Sequence, residues 1–326
     1  MAAVMGMLVD GQWKDVWYDT RPTDGRFVRP DTQFHDRVEA TPGARFEPGA
    51  GRYHLYVSLA CPWAHRTLIV RALKGLEDVL SISVVNPLML YHGWTFETAP
   101  GTIADPVLDA RYLYEIYLSA RPHYSGRVTV PVLWDKRERT IVNNESAEIL
   151  RMLASAFDAL ATRSLHDLYP PQHRAEIDEV NARVYATVNN GVYEAGFATS
   201  QMQYERAVTT LFETLDHLDA RLAKQAWLVG DRMTEADIRL FTTLLRFDAV
   251  YYGHFKCNLR RLVDYEHLWP YARRIYQLPH VASTVSFDHI KQHYYSSHRT
   301  INPTGIVPLG PIMDWAPLTS ARGARP

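Results

Sequence analysis

The fold of this 326-residue chain is decided by Tyr53-His54-Leu55-Tyr56-Val57-Ser58-Leu59-Ala60-Cys61-Pro62-Trp63-Ala64-His65-Arg66. The apolar run Tyr53–Val57 reads as a strand. After Cys61 the pattern changes. Thr67-Leu68-Ile69-Val70-Arg71-Ala72-Leu73-Lys74 reads as a helix closed by Gly75, and Pro62 suits its first turn, where a missing N–H costs nothing. The Cys61 thiol therefore stands at a helix N-terminus, whose unpaired N–H groups and dipole favour negative charge. A lowered pKa and a partly ionised thiol are expected. Three residues on stands Ala64, so no second cysteine completes a C-x-x-C pair. A thiol that turns over here has to be regenerated by an external thiol.

Outward from this element, residues 80–85 read as a second strand, and the β-α-β order implies parallel pairing. A polar and aromatic stretch, 86–127, reads as a long loop. Val128-Thr129-Val130-Pro131-Val132-Leu133-Trp134-Asp135 reads as a loop and strand, 139–143 as its hairpin partner, and Asn143 or Asn144 as the cap of a helix reaching about residue 153. Past Pro170-Pro171 every segment looks helical: about 172–190, 200–224, 234–251, 258–262 and 267–278. Thr234-Glu235-Ala236-Asp237 opens one of them as a capping box. The expected division is an arm over 1–51 with short structure near Trp13 and Trp17, an α/β domain over 52–157 and a linker over 158–171. A helical domain follows over 172–278, and a Pro- and Gly-punctuated extension over 279–326.

Composition narrows the class of function. With 35 Lys plus Arg against 36 Asp plus Glu, the formal net charge is −1, which argues against nucleic acid or an anionic membrane as the main partner. No run of apolar residues is long enough to span a bilayer. Residues 1–9 are apolar but lack the basic region of a signal peptide. The chain has 2 Cys, Cys61 and Cys257, with neither a disulfide framework nor zinc-type spacing, so a reducing, cytoplasmic setting is expected. Cys257 reads as a packed thiol. His289 and His293 share a helix face, but no third ligand accompanies them, so no metal is expected.

A thioredoxin-like domain followed by an all-helical domain resembles the soluble glutathione transferases. Within that architecture Cys61-Pro62-Trp63-Ala64 resembles the Xi class, the glutathionyl-hydroquinone reductases. Further matches are Gly93-Trp94-Thr95-Phe96, the segment 128–135, Asn143-Asn144-Glu145-Ser146, Phe287-Asp288-His289-Ile290-Lys291, His293-Tyr294-Tyr295 and Asn302-Pro303-Thr304-Gly305-Ile306-Val307-Pro308. The tail is the most diagnostic, because other transferases lack it. The resemblance covers nearly the whole chain. It implies a cis Val130–Pro131 peptide facing Cys61, glutathione as co-substrate, a homodimer, and an extension that wraps back toward the active site.

Residue by residue, the resemblance implies glutathione contacts from Trp94, Arg127, Val128, Val130, Pro131, Glu145 and Ser146. A helix start bearing Ser146 suits a carboxylate, Glu145 an amino group, Val130 and Pro131 the peptide backbone, and Arg127 the glycyl carboxylate. A tyrosine on a helix usually packs with its hydroxyl at the rim. The resemblance nonetheless implies catalytic tyrosines alongside Cys61, here Tyr193, Tyr252 and Tyr295, with the choice between Tyr294 and Tyr295 open. The implied reaction is glutathione-dependent reduction of S-glutathionyl-hydroquinones through a Cys61–glutathione mixed disulfide. Two alternatives remain: an omega-like thioltransferase or dehydroascorbate reductase, and a non-catalytic ligand-binding protein of the same fold.

Overall fold

A computed structural model describes residues 6–316. Residues 1–5 of the expected arm and 317–326 of the expected extension lie outside the described residues. Met7–Val9 (β1) and Gln12–Lys14 (β2) open the chain as a hairpin. Tyr53–Val57 (β3), Pro62–Leu73 (α1) and Ser81–Val84 (β4) form the β-α-β unit. Leu113–Ala120 (α2), Gly126–Arg127 (β5), Val132–Asp135 (β6), Thr140–Asn143 (β7) and Ser146–Ser155 (α3) complete the first half.

The main sheet has the order β4-β3-β6-β7, with β3 parallel to β4 and antiparallel to β6. Every residue of β3 is buried, as an uninterrupted apolar strand at the centre of a covered sheet has to be. Helix α1 packs beside α3, and α2 packs against β7. Gly75, at φ 64, closes α1 in the left-handed region that glycine enters without steric cost. The Val130–Pro131 peptide is cis, and β6 begins only after it, later than the strand expected from residue 128. The cap of α3 is neither Asn143 nor Asn144 but Glu145, whose carboxylate accepts the Ala147 N–H at 3.0 Å. Both asparagines point elsewhere: Asn143 Oδ1 accepts the Glu145 N–H at 2.7 Å, and Asn144 Oδ1 accepts the Phe34 N–H at 3.1 Å.

Two other expectations change here. The stretch expected as a loop over 86–127 contains α2, whose first turn is fixed by Glu115 accepting the Arg111 and Tyr112 N–H groups. The arm is more regular than expected: β1 pairs with both β2 and β5, which makes a second small sheet and ties the arm to the segment before Pro131.

The second half contains Arg174–Val184 (α4), Gly191–Gly196 (α5), Gln201–Leu222 (α6), Glu235–Arg246 (α7), Leu268–Tyr276 (α8) and Phe287–Ser297 (α9). The segment 258–262 is not a helix; only a single turn, Leu262–Asp264, forms there. Helix α9 lies inside the Pro- and Gly-punctuated extension and carries the His289 and His293 pair. Every residue of α7 except Arg239 is buried, so it is the central helix of this half. The capping box at Thr234 is present: Asp237 accepts the Thr234 N–H at 2.7 Å and the Tyr271 hydroxyl at 2.8 Å. The two halves are joined where Arg151 of α3 grips buried Glu235 through two hydrogen bonds, at 2.7 and 2.8 Å. Such a bidentate, partly desolvated pair fixes geometry better than an exposed ion pair does. Helix α7 also packs on α1, which places the helical half directly over the Cys61 helix.

Candidate active site

Cys61 is the N-cap residue of α1, with Pro62 in the first helical turn. Its thiol donates to the Val130 carbonyl at 3.6 Å, so the cis peptide and the cysteine face each other. The loop ahead of Cys61 is held from the helical half. Arg246, fully buried at the end of α7, donates to the carbonyls of Ala60 at 2.8 Å and Leu59 at 3.2 Å.

The electrostatics correct the expectation of a lowered thiol pKa. The Cys61 residue keeps some exposed surface, but its sulfur is closely surrounded, and burial pushes the thiol up from its ordinary value. The N–H groups of Ala64 and Trp63 and the charges of Arg246 and Arg29 all pull downward, as a helix start should, yet they do not outweigh desolvation.

A cavity of about 140 Å³ opens beside Cys61. An apolar cavity of about 150 Å³ accepts benzene, so one aromatic ring fits this volume. Its lining includes Cys61, Trp94, Arg127, Val128, Val130, Pro131, Glu145, Ser146 and Tyr193, which brings together every expected site residue except Tyr252 and Tyr295. A larger groove of about 630 Å³ lies between residues 37–40, α3 and α4, but no cysteine reaches it.

One wall is built from backbone and a helix start. Val128, Val130 and Pro131 line it as irregular chain between β5 and β6. Ser146 Oγ accepts from the Arg66 guanidinium at 3.2 Å, and Glu145 accepts from Thr32 Oγ1 at 3.5 Å. Trp94 is buried and stacks on His293, with ring centroids 4.7 Å apart. Arg127 lies 4.0 Å over the Tyr18 ring and donates to the carbonyls of Gly6 at 3.1 Å and Val16 at 2.8 Å, so it is tied to the arm.

The opposite wall is aromatic, and the hydroxyls of its Tyr193 and Tyr294 cluster with that of Tyr251. Tyr193 and Tyr294 are 2.6 Å apart, and Tyr251 lies 3.0 Å from Tyr294. Burial raises the pKa of each, which keeps all three protonated and able to donate. Tyr252 and Tyr295 are each one residue off this cluster and half-buried, and the Tyr295 hydroxyl donates to the Ala249 carbonyl at 3.3 Å. The reasons are geometric. A π-type turn over Phe247–Tyr251 follows α7 and alters which side chain faces inward. On α9, Ile290, His293, Tyr294 and Ser297 form the buried stripe, and Tyr295 lies about 100° away around the helix.

Sequence reasoning missed several lining residues, among them Arg29, Phe27, Trp63, Phe197 and His298, for which the sequence carried no readable signal. Of the open pair Tyr294 and Tyr295, the lining takes Tyr294, which belongs to the buried stripe of α9. His289 and His293 are not poised for a metal: their ring nitrogens bond the carbonyls of Pro100 at 2.6 Å and Pro87 at 2.9 Å. Among the described residues no group of three or more His, Cys, Asp or Glu could hold a metal ion. Cys257 is fully buried, and burial pushes its thiol far up. No helix among the described residues is long and apolar enough to cross a membrane.

A thioredoxin-like half with a cysteine at a helix start, roofed by a helical half, defines a glutathione transferase fold with a cysteine as the N-cap of its first helix. Two family models match: the glutathione S-transferase N-terminal domain over residues 60–156 and the C-terminal domain over residues 201–274. The chain is 56% identical over 318 residues to glutathionyl-hydroquinone reductase YqjG of Escherichia coli (strain K12), covering 95% of this chain and 96% of that one. It is 55% identical over 315 residues to glutathionyl-hydroquinone reductase PcpF of Sphingobium chlorophenolicum, covering 97% and 99%. Among solved structures, a Xi class transferase from Natrialba magadii superposes with a TM-score of 0.91 at 49% identity over 98% of this chain and 97% of that one. The glutathione-bound structure of YqjG superposes with a TM-score of 0.86 at 53% identity, over 95% and 97%. The chain belongs to the glutathione S-transferase family, within its Xi class of glutathionyl-hydroquinone reductases.

Proposed function

We propose that the protein is an enzyme that reduces S-glutathionyl-hydroquinones to hydroquinones with glutathione as co-substrate. The observation that carries this reading is that Cys61 and the Tyr193–Tyr294 hydroxyl pair line one cavity sized for an aromatic ring. In this reading the glutathionyl part of the substrate lies along Val128, Val130 and Pro131. Ser146 and the α3 start hold its γ-glutamyl carboxylate, Glu145 its amino group, Trp94 its flank and Arg127 its glycyl carboxylate.

The chemistry follows from the leaving group. Attack on the thioether sulfur of an intact aromatic ring would expel an aryl carbanion. In the keto tautomer the thioether carbon is tetrahedral, and the carbon–sulfur electron pair can flow to the ring oxygen. The Cys61 thiol gives up its proton to solvent, and the thiolate forms a sulfur–sulfur bond to glutathione as the carbon–sulfur bond breaks. The hydroquinone leaves as its phenolate and takes a proton from the tyrosine cluster, which stays protonated until that step. A second glutathione thiolate attacks the Cys61–glutathione disulfide, releasing glutathione disulfide and restoring Cys61. The cycle is ping-pong, and a simple glutathione mixed disulfide enters it by the same Cys61 attack on sulfur, with a thiolate leaving in place of the phenolate.

The division at residues 51, 157, 171 and 278 and the roles of the named residues belong to this proposal. So do a homodimer and a cytoplasmic location, which rest on the family resemblance and on a reaction that needs a glutathione-rich, reducing compartment. Incubation with glutathionyl-menadiol and glutathione is expected to yield menadiol and glutathione disulfide in equal amounts. Absence of menadiol, with disulfide reduction intact, would instead favour a thioltransferase.

A further inference from the structure

The N-terminal arm brings a cation to the aromatic wall, and the reaction outlined above gives it no task. The Arg29 guanidinium lies 4.7 Å over the Tyr193 ring, 5.0 Å over Trp63 and 5.5 Å over Phe27, and all four residues line the cavity. Its Nε donates to Asn190 Oδ1 at 3.0 Å. Its Nη2 is buried and has no hydrogen-bond partner, and the same holds for Nε1 of Trp63 beside it. Two buried donors are therefore left without acceptors at one place on the wall. An unpaired buried donor is costly, and more so where the group is charged, unless a ligand supplies the acceptor.

We propose that Arg29 is the residue that binds the ionised oxygen of the aromatic substrate, with Trp63 Nε1 as a second donor. This rests on the reading of the reaction given above and names its substrate class: aromatic glutathione adducts with an acidic ring hydroxyl or another anionic oxygen. As the carbon–sulfur pair flows into the ring, the negative charge settles on oxygen, beside a cation in a largely desolvated pocket. The tyrosine cluster then supplies the proton. Hydroquinones acidified by electron-withdrawing substituents gain most.

Arg29→Met and Arg29→Lys test this, with folding checked by thermal unfolding. The first probe is 4-nitrophenol, whose ionised form is yellow. Wild type is expected to bind it as the phenolate at a pH where the free phenol is mostly neutral, Arg29→Met is expected to lose that, and Arg29→Lys to keep part of it. The second measurement is kinetic. Arg29→Met should lower kcat/KM for glutathionyl-menadiol roughly a hundredfold to a thousandfold, the effect of removing one oxyanion donor. Reduction of the mixed disulfide of glutathione and 2-mercaptoethanol, and the KM for glutathione, should change by less than about threefold. A nitrophenol equally ionised in Arg29→Met overturns the proposal. So does a raised KM for glutathione with the aryl reaction untouched, which would assign Arg29 to a glutathione carboxylate. Should wild type release no menadiol, the reaction reading fails, and the nitrophenol spectra still decide the role of Arg29.

Discussion

The two walls of the cavity are made in different ways. The wall of Val128, Val130, Pro131, Glu145 and Ser146 comes from one short stretch of chain, in which the cis peptide, the β6–β7 hairpin and the α3 start follow in order. The wall of Arg29, Trp63, Tyr193 and Tyr294 comes from four segments separated by up to 265 positions, numbered 29 to 294. In the proposed reading the first wall recognises what all substrates share, and the second what distinguishes them. Substitutions on the first should therefore affect every glutathione-dependent reaction, whereas those on the second should separate aryl thioethers from disulfides.

Cys61, between the walls, should show the largest effect. Cys61→Ala and Cys61→Ser are expected to lose both activities by at least about a thousandfold, as removal of a covalent nucleophile does; steady-state assays with glutathionyl-menadiol and with a glutathionylated disulfide check this. Tyr294→Phe or Tyr193→Phe should lower dethiolation by roughly a hundredfold and leave disulfide reduction within about threefold. Parallel loss of both activities would mean that the hydroxyl cluster is structural. Because burial raises the Cys61 pKa, the thiol is mostly neutral at pH 7, and its alkylation by iodoacetamide should climb with pH and reach half its plateau above the ordinary thiol value of about 8.5. A midpoint below that value would show that the helix start and Arg246 outweigh desolvation. Smallest is Ser146→Ala, which should raise KM for glutathione about tenfold with little change in kcat, the cost of one hydrogen bond to a charged group.

The same contrast explains how much was legible in the sequence. The strand–Cys61–Pro62–helix element, the hairpin before Glu145 and the capping box at Thr234 are local devices, and each appears where the residue pattern put it. The wall proposed to hold glutathione is local too, and its residues fall in the short motifs on which the family resemblance rests. The aromatic wall depends on how distant segments turn toward each other. The π-type turn after Arg246 moved the inward face from Tyr252 to Tyr251, and no propensity rule signals an inserted residue in a helix. Tyr294 could have been chosen over Tyr295 from the Ile290, His293, Tyr294 and Ser297 stripe, had a helix been assigned inside a segment bounded by prolines and glycines. Arg29 sits in an arm without periodicity and is placed by its stacking on Trp63 and Tyr193, which only the folded chain reveals. The Cys61 pKa failed for a related reason: the helix start is a sequence feature, while the burial opposing it is a tertiary one.

The most direct test of the account is a single turnover without free glutathione. The protein is mixed with a slight excess of glutathionyl-menadiol, quenched in acid and measured by intact mass and peptide mapping. The account predicts one glutathionyl group on Cys61 and one equivalent of menadiol released, with neither seen in Cys61→Ala. Menadiol released without the adduct, or an adduct on Cys257 instead, would contradict it.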